Sequence, residues 1–231
     1  MCIRDSSYTD AESLIDGRGF INSTNWNNIL SVTGNNNPTV SRSTFAAGSR
    51  ITGFFSHKFN WLDDFLGTTI SLFYTGRSGQ PFSYVYNNVI SDISSGAGFD
   101  DLIFVPASPS DINLVDTDGS SAAEQWAALD NFIENDDYLS SRRGEFAEPN
   151  QSRTPFEHIL DLKIAQDINI GGNQLQVTFD VFNFTNLISS SLGRRFFVGG
   201  GNSTFSLIQA NRDDLGDDDF SNDQVLSLIH I

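Results

Sequence analysis

The clearest structural signal in this chain is TPFEHILDLKIAQDINIGGNQLQVTFDVFNFTNLIS, residues 154–189. Over Leu160–Ile170 the even-numbered residues are apolar except Gln166, and the odd-numbered residues are polar except Ala165. A period of two is typical of a β-strand whose two faces lie in different environments. This segment therefore predicts a long strand with one apolar and one polar face.

A turn and a second alternating strand follow directly. Gly171, Gly172 and Asn173 tolerate the positive φ angles of a hairpin turn, and apolar and polar residues alternate again over residues 174–181. The two strands predict an antiparallel hairpin. Each strand runs for about 11 residues or more, whereas strands of soluble domains usually have about 5–6, and a tilted strand that crosses a bilayer needs about 9–11.

The polar face of this hairpin carries four charged side chains, those of Asp161, Lys163, Asp167 and Asp180. In a soluble β-sandwich these side chains would face bulk water. In a transmembrane β-barrel they would line a wet lumen, while the apolar face would contact lipid. The periodicity alone leaves both architectures open.

A second hairpin is predicted upstream. Apolar and polar residues alternate in SRITGFFSHKFNW, residues 49–61, and again in TTISLFYTGRSGQPFSYVY, residues 68–86, with a short turn at 62–67 between them. Aromatic residues gather near the strand ends, as they do in outer-membrane barrels and also in soluble β cores. We expect long, tilted antiparallel strands at about 49–61, 67–86, 156–170 and 174–188.

The connection between the two hairpins, residues 87–153, is long, acidic and rich in serine. Apolar residues recur at helical spacing over Ala122–Ile133, which predicts one helix. A connection of this length is unusual in a compact domain but common in outer-membrane barrels, which have short turns at one end and long loops at the other. We therefore predict an all-β fold: several strands of an antiparallel transmembrane β-barrel, with long extracellular loops and a short loop helix.

The composition excludes several classes of function. The chain of 231 residues has 29 acidic and 13 basic side chains and a net charge of −16, so nucleic-acid binding, which requires a basic surface, is not expected. The sequence contains no run of about 18 apolar residues, so no transmembrane helix is predicted. The histidines are too scattered for a zinc motif, and no residue spacing indicates a catalytic arrangement. We therefore predict no enzymatic activity, no metal and no cofactor.

Both ends of the chain look foreign to the rest. The segments MCIRDS, residues 1–6, and SLIHI, residues 227–231, resemble translated sequencing-adapter sequence. We expect that neither segment is native and that both pack poorly. The single cysteine, Cys2, lies in the first of them, so the remaining residues, 7–226, predict no disulfide framework.

Several short motifs together resemble a known family. They are Arg143-Gly144, Arg153-Thr154-Pro155, the Leu-Asp-Leu strand at 160–162 that ends in Gln166-Asp167, and VFNFTNL at 181–187. In this order they resemble the C-terminal β-barrel of TonB-dependent outer-membrane receptors, with the Oar-like receptors as the nearest group. The resemblance covers about residues 45–190.

The resemblance implies that residues 7–226 are part of a receptor barrel in the outer membrane of a Gram-negative bacterium. Such receptors bind a scarce nutrient at extracellular loops and import it through a plugged barrel, using energy that the TonB protein transmits. The family's plug domain, TonB box, signal peptide and last strand are absent from this sequence, so we expect several strands of a receptor rather than a working transporter. The implied partners are outer-membrane lipid, an unknown extracellular ligand and, through the missing N-terminal part, a TonB-type energy-transducing protein.

Candidate ligand contacts lie in the long connection, at Trp126, Arg142 and Arg143. The two arginines would hold an anionic ligand or lipopolysaccharide, or they would form salt bridges between the loop and the lumen, which is the simpler interpretation. A tryptophan is a common platform for a sugar ring.

Two other functions stay open at this point. A non-energised outer-membrane channel or adhesin-like barrel would have no plug domain. A secreted, soluble β-sandwich would bind glycans through exposed Trp26, Trp61 or Trp126. In that sandwich the even-numbered side chains of Leu160–Ile170 would be buried in a compact two-sheet core.

Overall fold

The structure of the chain is a computed structural model. It describes residues 1–17, 20–27, 29–63, 65–87, 101–117, 119–198, 203–211 and 225–228. The chain forms two units. Unit 1 comprises Met1–Asp10, Ala47–Gln80 and Thr154–Phe197, and unit 2 comprises Ala11–Ala46, Pro81–Arg153 and Val198–Ile231.

Strands dominate the described residues, in agreement with the predicted all-β class. In chain order they are β1 (Cys2–Thr9), β2 (Glu12–Ser13), β3 (Ser41–Arg42), β4 (Gly48–Trp61), β5 (Leu66–Arg77), β6 (Pro81–Asn87), β7 (Phe104–Val105), β8 (Glu145–Phe146), β9 (Ser152–Arg153), β10 (Glu157–Ile170), β11 (Asn173–Val181), β12 (Thr204–Asn211) and β13 (Val225–Leu228). The α-helices are α1 (Asn22–Asn27), α2 (Ala122–Asn135) and α3 (Phe184–Ile188), and 3-10 helices cover Pro109–Asp111 and Leu139–Arg142.

Unit 1 is built on a five-stranded antiparallel sheet with the strand order β1-β4-β5-β10-β11. The two predicted hairpins, β4–β5 and β10–β11, lie side by side in it. They are joined by β5 and β10, whose pairing runs from Leu66 opposite Ile168 to Arg77 opposite Glu157. The sheet is open, with β1 and β11 as its edges.

Both tight turns lie at the same end of this sheet, which we call the turn end. The β4–β5 connection is short, and the Asn169 amide of β10 donates to the Phe65 carbonyl in it at 2.9 Å. The β10–β11 turn is Gly171–Gly172, with φ of 56° and 87°, close to the angles of a type I′ turn. The long connections leave from the opposite end, the loop end, so the short–long–short order seen in the sequence is also the spatial arrangement.

Two of the four predicted strands end earlier than expected. The strand predicted over 67–86 is two strands, because β5 stops at Arg77 and β6 belongs to a different sheet. Gly79 lies in the break, where the chain passes so close to Thr154 that a Cβ at Gly79 would lie 1.9 Å from the Thr154 carbonyl oxygen. The strand predicted over 174–188 ends at Val181, because Asn183 has a left-handed backbone with φ of 54° and α3 follows.

The first residues of the chain are paired rather than detached. Strand β1 is antiparallel to β4, from Cys2 opposite Phe55 to Thr9 opposite Gly48. Its side chains are all exposed. The sequence predicts poor packing of residues 1–6. Their side chains contact little, but their backbone pairs with β4, and any sequence can provide such backbone pairing. Of the other suspect segment, residues 229–231 lie outside the described residues.

Unit 2 contains a four-stranded sheet with the order β13-β12-β6-β9. Its β6 and β12 pair in parallel, which departs from the purely antiparallel sheet that we predicted. Helix α2 confirms the helix predicted over 122–133, and it begins in a capping box in which Ser121 and Glu124 bond each other's backbone amides. Leu129 and Ile133 of this helix are fully buried in a hydrophobic core with residues of β6 and β12. The described part of the long connection is therefore packed structure and not a bare loop.

Candidate functional site

The register of the sheet in unit 1 gathers its charged side chains on one face. Residues that pair directly across antiparallel strands share a face of the sheet. The four residues predicted to line a lumen, Asp161, Lys163, Asp167 and Asp180, all lie on this face, with Lys163 directly opposite Asp180. We call it the polar face; its polar members on the long strands are Arg50, Thr52, Ser56, Lys58, Asn60, Thr69, Ser71, Thr75, Arg77, Glu157, Asp161, Lys163, Asp167, Asn169, Gln174, Gln176, Thr178 and Asp180.

Near the turn end, Asp167 is the centre of a polar network. Its carboxylate accepts from Lys58 Nζ at 2.8 Å and from Gln176 Nε2 at 2.7 Å. Asp167 is only 4% exposed, and a carboxylate that is buried to this extent requires such partners. Halfway along the sheet, Lys163 pairs with Asp180 at 3.4 Å.

At the loop end, Glu157 is the centre of a second network. One carboxylate oxygen, Oε2, accepts from Arg77 Nε at 2.6 Å and lies 3.4 Å from Arg195 Nε. Arg50 lies directly opposite Arg77 on the neighbouring strand. A little further along β10, Asp161 accepts the Asn183 backbone amide at 2.7 Å and so positions the start of α3.

The opposite face of the same sheet is apolar, and its side chains are mostly half-buried on the central strands β5 and β10 and exposed on β4 and β11. None of the even-numbered residues of Leu160–Ile170 is buried, and Ile170 is 58% exposed. On β11 the exposure reaches 64% at Phe179. The two-sheet core expected for a soluble sandwich is therefore not formed around these side chains. We call this surface the apolar face; its apolar members on the long strands are Ile51, Phe55, Phe59, Trp61, Leu66, Ile70, Leu72, Tyr74, Leu160, Leu162, Ile164, Ile168, Ile170, Leu175, Val177, Phe179 and Val181.

Rings with polar atoms stand at both ends of the apolar face. At the turn end, Trp61 donates from Nε1 to Thr68 Oγ1 at 3.2 Å, and the Thr68 hydroxyl donates to Gln166 at 2.7 Å. Gln166, the one polar exception in the alternation of β10, is therefore hydrogen-bonded at this end. At the loop end, the Tyr74 hydroxyl and His158 Nδ1 are 2.7 Å apart. Between these rings the face carries aliphatic side chains such as Ile70 and Leu72, the phenylalanines Phe55, Phe59 and Phe179, and one polar ring, that of His57.

Among the predicted ligand contacts, Trp126 packs against the hydrophobic core of unit 2 and is half-buried. Trp126 lies in the second turn of α2, on the same side of the helix as the buried residues Leu129 and Ile133. Its side chain acts in packing here, and only part of its ring is presented to solvent.

The two predicted arginine contacts are engaged by acidic side chains. Arg142 forms ion pairs with Glu145 at 2.8 Å and Glu148 at 3.3 Å. Arg143 forms an ion pair with Asp130 of α2 at 2.8 Å. The structure therefore places both arginines in salt bridges, but the partners lie within unit 2 and are not the lumen-lining side chains that the sequence predicted as partners.

A half-buried carboxylate in unit 2, that of Asp16, escaped the sequence analysis. Asp16 accepts hydrogen bonds from the hydroxyls of Ser13 and Ser43, and from the Thr44 amide at 2.9 Å. Burial opposes ionisation, but these hydrogen bonds outweigh it and lower the pKa of Asp16 below its usual value. The Asn150 amide nitrogen lies 3.5 Å from the same carboxylate. Most of these partners are far away in the sequence, so no local pattern could have identified the group.

The carboxylate of Asp16 lies at the edge of a cavity within unit 2. Apolar side chains of Leu14, Ile15, Ile29 and Leu30 contribute to its lining. Because Asp16 is already bonded to its own unit, the arrangement joins Ser13 to Ser43 and Thr44 and leaves little capacity for a ligand.

Within the described ranges, no group of three or more His, Cys, Asp and Glu side chains is arranged to hold a metal ion. Asp116, which begins a short Asp-rich motif, accepts the Ala122 amide at 2.7 Å and so caps α2; Asp118 lies outside the described residues. No helix in the described part of the chain is long and apolar enough to cross a bilayer.

Comparison of the chain with models of known protein families, with curated proteins and with solved structures finds no match.

Proposed function

We infer that this chain forms part of the transmembrane β-barrel of an outer-membrane transport protein. In this arrangement the apolar face of unit 1 contacts lipid and the polar face lines an aqueous lumen. The observation that carries the proposal is the contrast between these faces: exposed Phe179, Val177 and Leu175 stand on one side of β11, and the ion-paired Asp180 stands on the other. In water an apolar surface of this extent is unfavourable unless something covers it, whereas hydrocarbon chains would cover it at no cost.

The dimensions of the sheet support the same proposal. Strands β4 and β10 have 14 residues each and β5 has 12, more than the roughly 9–11 that a tilted strand needs to cross a bilayer. Trp61 and Tyr74 lie near the two ends of the apolar face, as amphipathic rings do at membrane interfaces. Short turns at one end and long connections at the other are typical of outer-membrane barrels.

The open sheet sets a requirement for this proposal. Strands β1 and β11 are edges, and in hydrocarbon the unpaired amides and carbonyls of an edge cost several kcal/mol each. A barrel would close only when further strands pair with these edges. The proposed protein is therefore larger than the five-stranded sheet of unit 1.

The resemblance to TonB-dependent receptors extends the proposal to energised uptake of a scarce nutrient. The receptor would lie in the outer membrane of a Gram-negative bacterium, and a TonB-type protein would supply the energy for uptake. The polar face would form part of the lumen wall, and the connections at the loop end would contact the extracellular ligand. Sequencing the source DNA across both ends of this gene tests the extension: a plug-sized domain upstream supports it, whereas an intact reading frame with no plug favours a non-energised channel or adhesin.

Adjacent residues of β11 provide a direct test of the membrane proposal. Phe179 lies on the apolar face and Thr178 on the polar face. In a Cys2→Ser background, Phe179→Cys and Thr178→Cys would each be spin-labelled in lipid vesicles, and the accessibility of the label to oxygen and to a water-soluble nickel chelate would be measured. We expect the label at 179 to be accessible to oxygen and the label at 178 to the chelate. If both labels are equally accessible to the chelate, or if the chain stays soluble and monomeric without detergent, the membrane proposal is wrong and a soluble glycan-binding module becomes the better hypothesis.

A further inference from the structure

We propose that the loop end of the polar face is a binding site for a small oxyanion, a carboxylate or phosphate group, held by Arg50, Arg77 and Arg195. The inference goes beyond the proposed function, because it concerns charges on the polar face and holds whether the apolar face contacts lipid or another protein surface.

Strand register brings Arg50 and Arg77 together, and an ion pair places Arg195 beside the same Glu157 that Arg77 binds. Arg50 on β4 is directly opposite Arg77 on β5, and Arg77 is directly opposite Glu157 on β10. Strand β11 ends before it reaches this level, and Arg195, from the segment that follows α3, lies beside Glu157 in its place, with Nε 3.4 Å from Oε2. The four side chains therefore belong to one cluster across the sheet.

The charges of this cluster do not balance. Two guanidinium groups, those of Arg77 and Arg195, share the carboxylate of Glu157, which is 5% exposed. Arg50 is directly opposite Arg77 on one side and Ser7 on the other, so no carboxylate lies directly across from it. Like charges directly opposite each other on neighbouring strands destabilise a sheet, and Arg50 and Arg77 are such a pair. Of the other carboxylates on this face, Asp5 is at a diagonal position on β1, and Asp161 is bonded to the Asn183 amide. An excess of positive charge is unexpected in a chain with a net charge of −16, and a bound anion would neutralise it.

The arginines also keep donors available. Arg77 and Arg195 both bond Glu157 through Nε, and no other partner of these two groups lies among the described residues. Their side chains are 41% and 48% exposed, and Arg50 is exposed as well. The two terminal nitrogens of a guanidinium group match the two oxygens of a carboxylate or phosphate, which is why arginine is favoured for binding such groups.

Isothermal titration calorimetry of the detergent-solubilised chain, with inorganic phosphate and with succinate as probes, tests the site. We expect saturable binding of at least one probe by the wild type, and about tenfold weaker binding after Arg50→Gln or Arg195→Gln, as expected for the loss of one charged hydrogen bond. Stronger binding of succinate would assign the site to carboxylates, and stronger binding of phosphate to phosphates. Arg194→Gln is the matched control, since Arg194 donates to the Ser190 carbonyl and removing it changes the net charge equally; its affinity should stay within about twofold.

Thermal unfolding gives a second readout that does not depend on detecting heat. Arg50→Gln should raise the midpoint in the absence of anion, because it removes the like-charge pair, and should abolish most of the rise that the bound probe causes in the wild type. The proposal is overturned if the wild type binds neither probe, or if Arg194→Gln weakens binding as much as Arg50→Gln does. Its failure leaves the membrane proposal intact, since the spin-label test reads residues of β11 only.

Discussion

Gly79 determines, at the scale of one residue, where the long strand of the second hairpin ends. The chain is held there by two hydrogen bonds, from the Thr154 amide to the Gln80 carbonyl at 3.0 Å and from the Gln80 amide to Thr154 Oγ1 at 2.9 Å. A Cβ at Gly79 would overlap the Thr154 backbone. We expect Gly79→Ala to lower the free energy of unfolding of unit 1 by about 1–3 kcal/mol or more, since about 1–3 kcal/mol is the usual cost of overpacking. Urea unfolding followed by Trp61 fluorescence, with Trp26 and Trp126 replaced by Phe, measures it.

Gly53→Ala serves as the matched control for this substitution. A Cβ at Gly53 would lie 3.7 Å from the Tyr74 Cβ, an ordinary contact. We expect the stability of this variant to change by less than about 1 kcal/mol, because alanine is a better strand residue than glycine. Equal effects of Gly79→Ala and Gly53→Ala would show that the close approach at Gly79 does not constrain the fold.

Tyr84 makes the stability of unit 2 dependent on pH. Its hydroxyl donates to Asp136 Oδ2 at 2.6 Å. Burial, followed by this hydrogen bond and the negative charge of Asp136, raises the pKa of Tyr84 far above its usual value of 10.0. A group whose pKa is higher in the folded state than in the unfolded state stabilises the fold fully at pH values below its unfolded-state pKa. That stabilisation is lost as the pH rises above about 10. Burial also raises the pKa of Tyr86, to about 12, so both residues act over the same alkaline range.

We therefore expect unit 2 to unfold more easily as the pH rises from about 10 to 12. Tyr84→Phe should reduce this slope and, by removing a hydrogen bond to a charged group, should lower stability at pH 7 by about 1–3 kcal/mol. Denaturant unfolding followed by Trp126 fluorescence measures both effects. Tyr8→Phe, at an exposed residue, is the control, and an unchanged alkaline slope in Tyr84→Phe would contradict the assignment.

At the scale of elements, the sequence predicted those strands, turns and helices that depend on neighbouring residues alone. The alternation over Leu160–Ile170 and the two glycines after it gave β10 and its turn, and the helical spacing gave α2. The break at Gly79 escaped prediction because it depends on the Thr154 backbone, more than seventy residues away. The parallel pairing of β6 with β12 escaped prediction for the same reason. These two strands lie far apart in the sequence, and neither contains a local pattern that indicates its partner.

The Gly171–Gly172 turn is the element on which the β10–β11 register depends. Both glycines have positive φ, and in a type I′ turn Asn is tolerated at such a position whereas β-branched residues are not. We expect Gly171→Asn to unfold within about 0.5 kcal/mol of the wild type and Gly171→Val to be destabilised by about 1–2 kcal/mol. Urea unfolding followed by Trp61 fluorescence compares the two. Equal stability of the two variants would show that the turn is not held in this geometry.

At the scale of the whole molecule, the candidate site was only partly predictable. Asp161, Lys163, Asp167 and Asp180 could be assigned to one face because a period of two fixes the side of every residue on a strand. Their partners could not be assigned, because which strand lies next to which depends on the whole sheet; Arg195 reaches Glu157 across 38 residues. Asp16 was missed for the same reason, since its hydrogen bonds join segments that no periodicity connects.

The two units bury apolar side chains to different extents, and this difference predicts how each responds to a lipid-like environment. Unit 2 has fully buried core residues such as Leu129 and Ile133, whereas unit 1 exposes Phe179 at 64% and Leu175 at 55%. Detergent or lipid that covers the apolar face should therefore stabilise unit 1 and leave unit 2 nearly unchanged. Thermal unfolding of single-tryptophan variants separates the units, because Trp61 lies in unit 1 and Trp126 in unit 2.

We expect the Trp61 midpoint to rise by several degrees with increasing detergent and the Trp126 midpoint to stay within about 1–2 °C, since 1 kcal/mol shifts the midpoint of a small domain by about 4–8 °C. Phe179→Ser should reduce the rise seen at Trp61, because it removes apolar surface from the face that the detergent covers. Thr178→Ser, its neighbour on the polar face, should not reduce it. Equal responses of the two tryptophans, or of the two serine variants, would mean that the apolar face is not the surface that meets lipid.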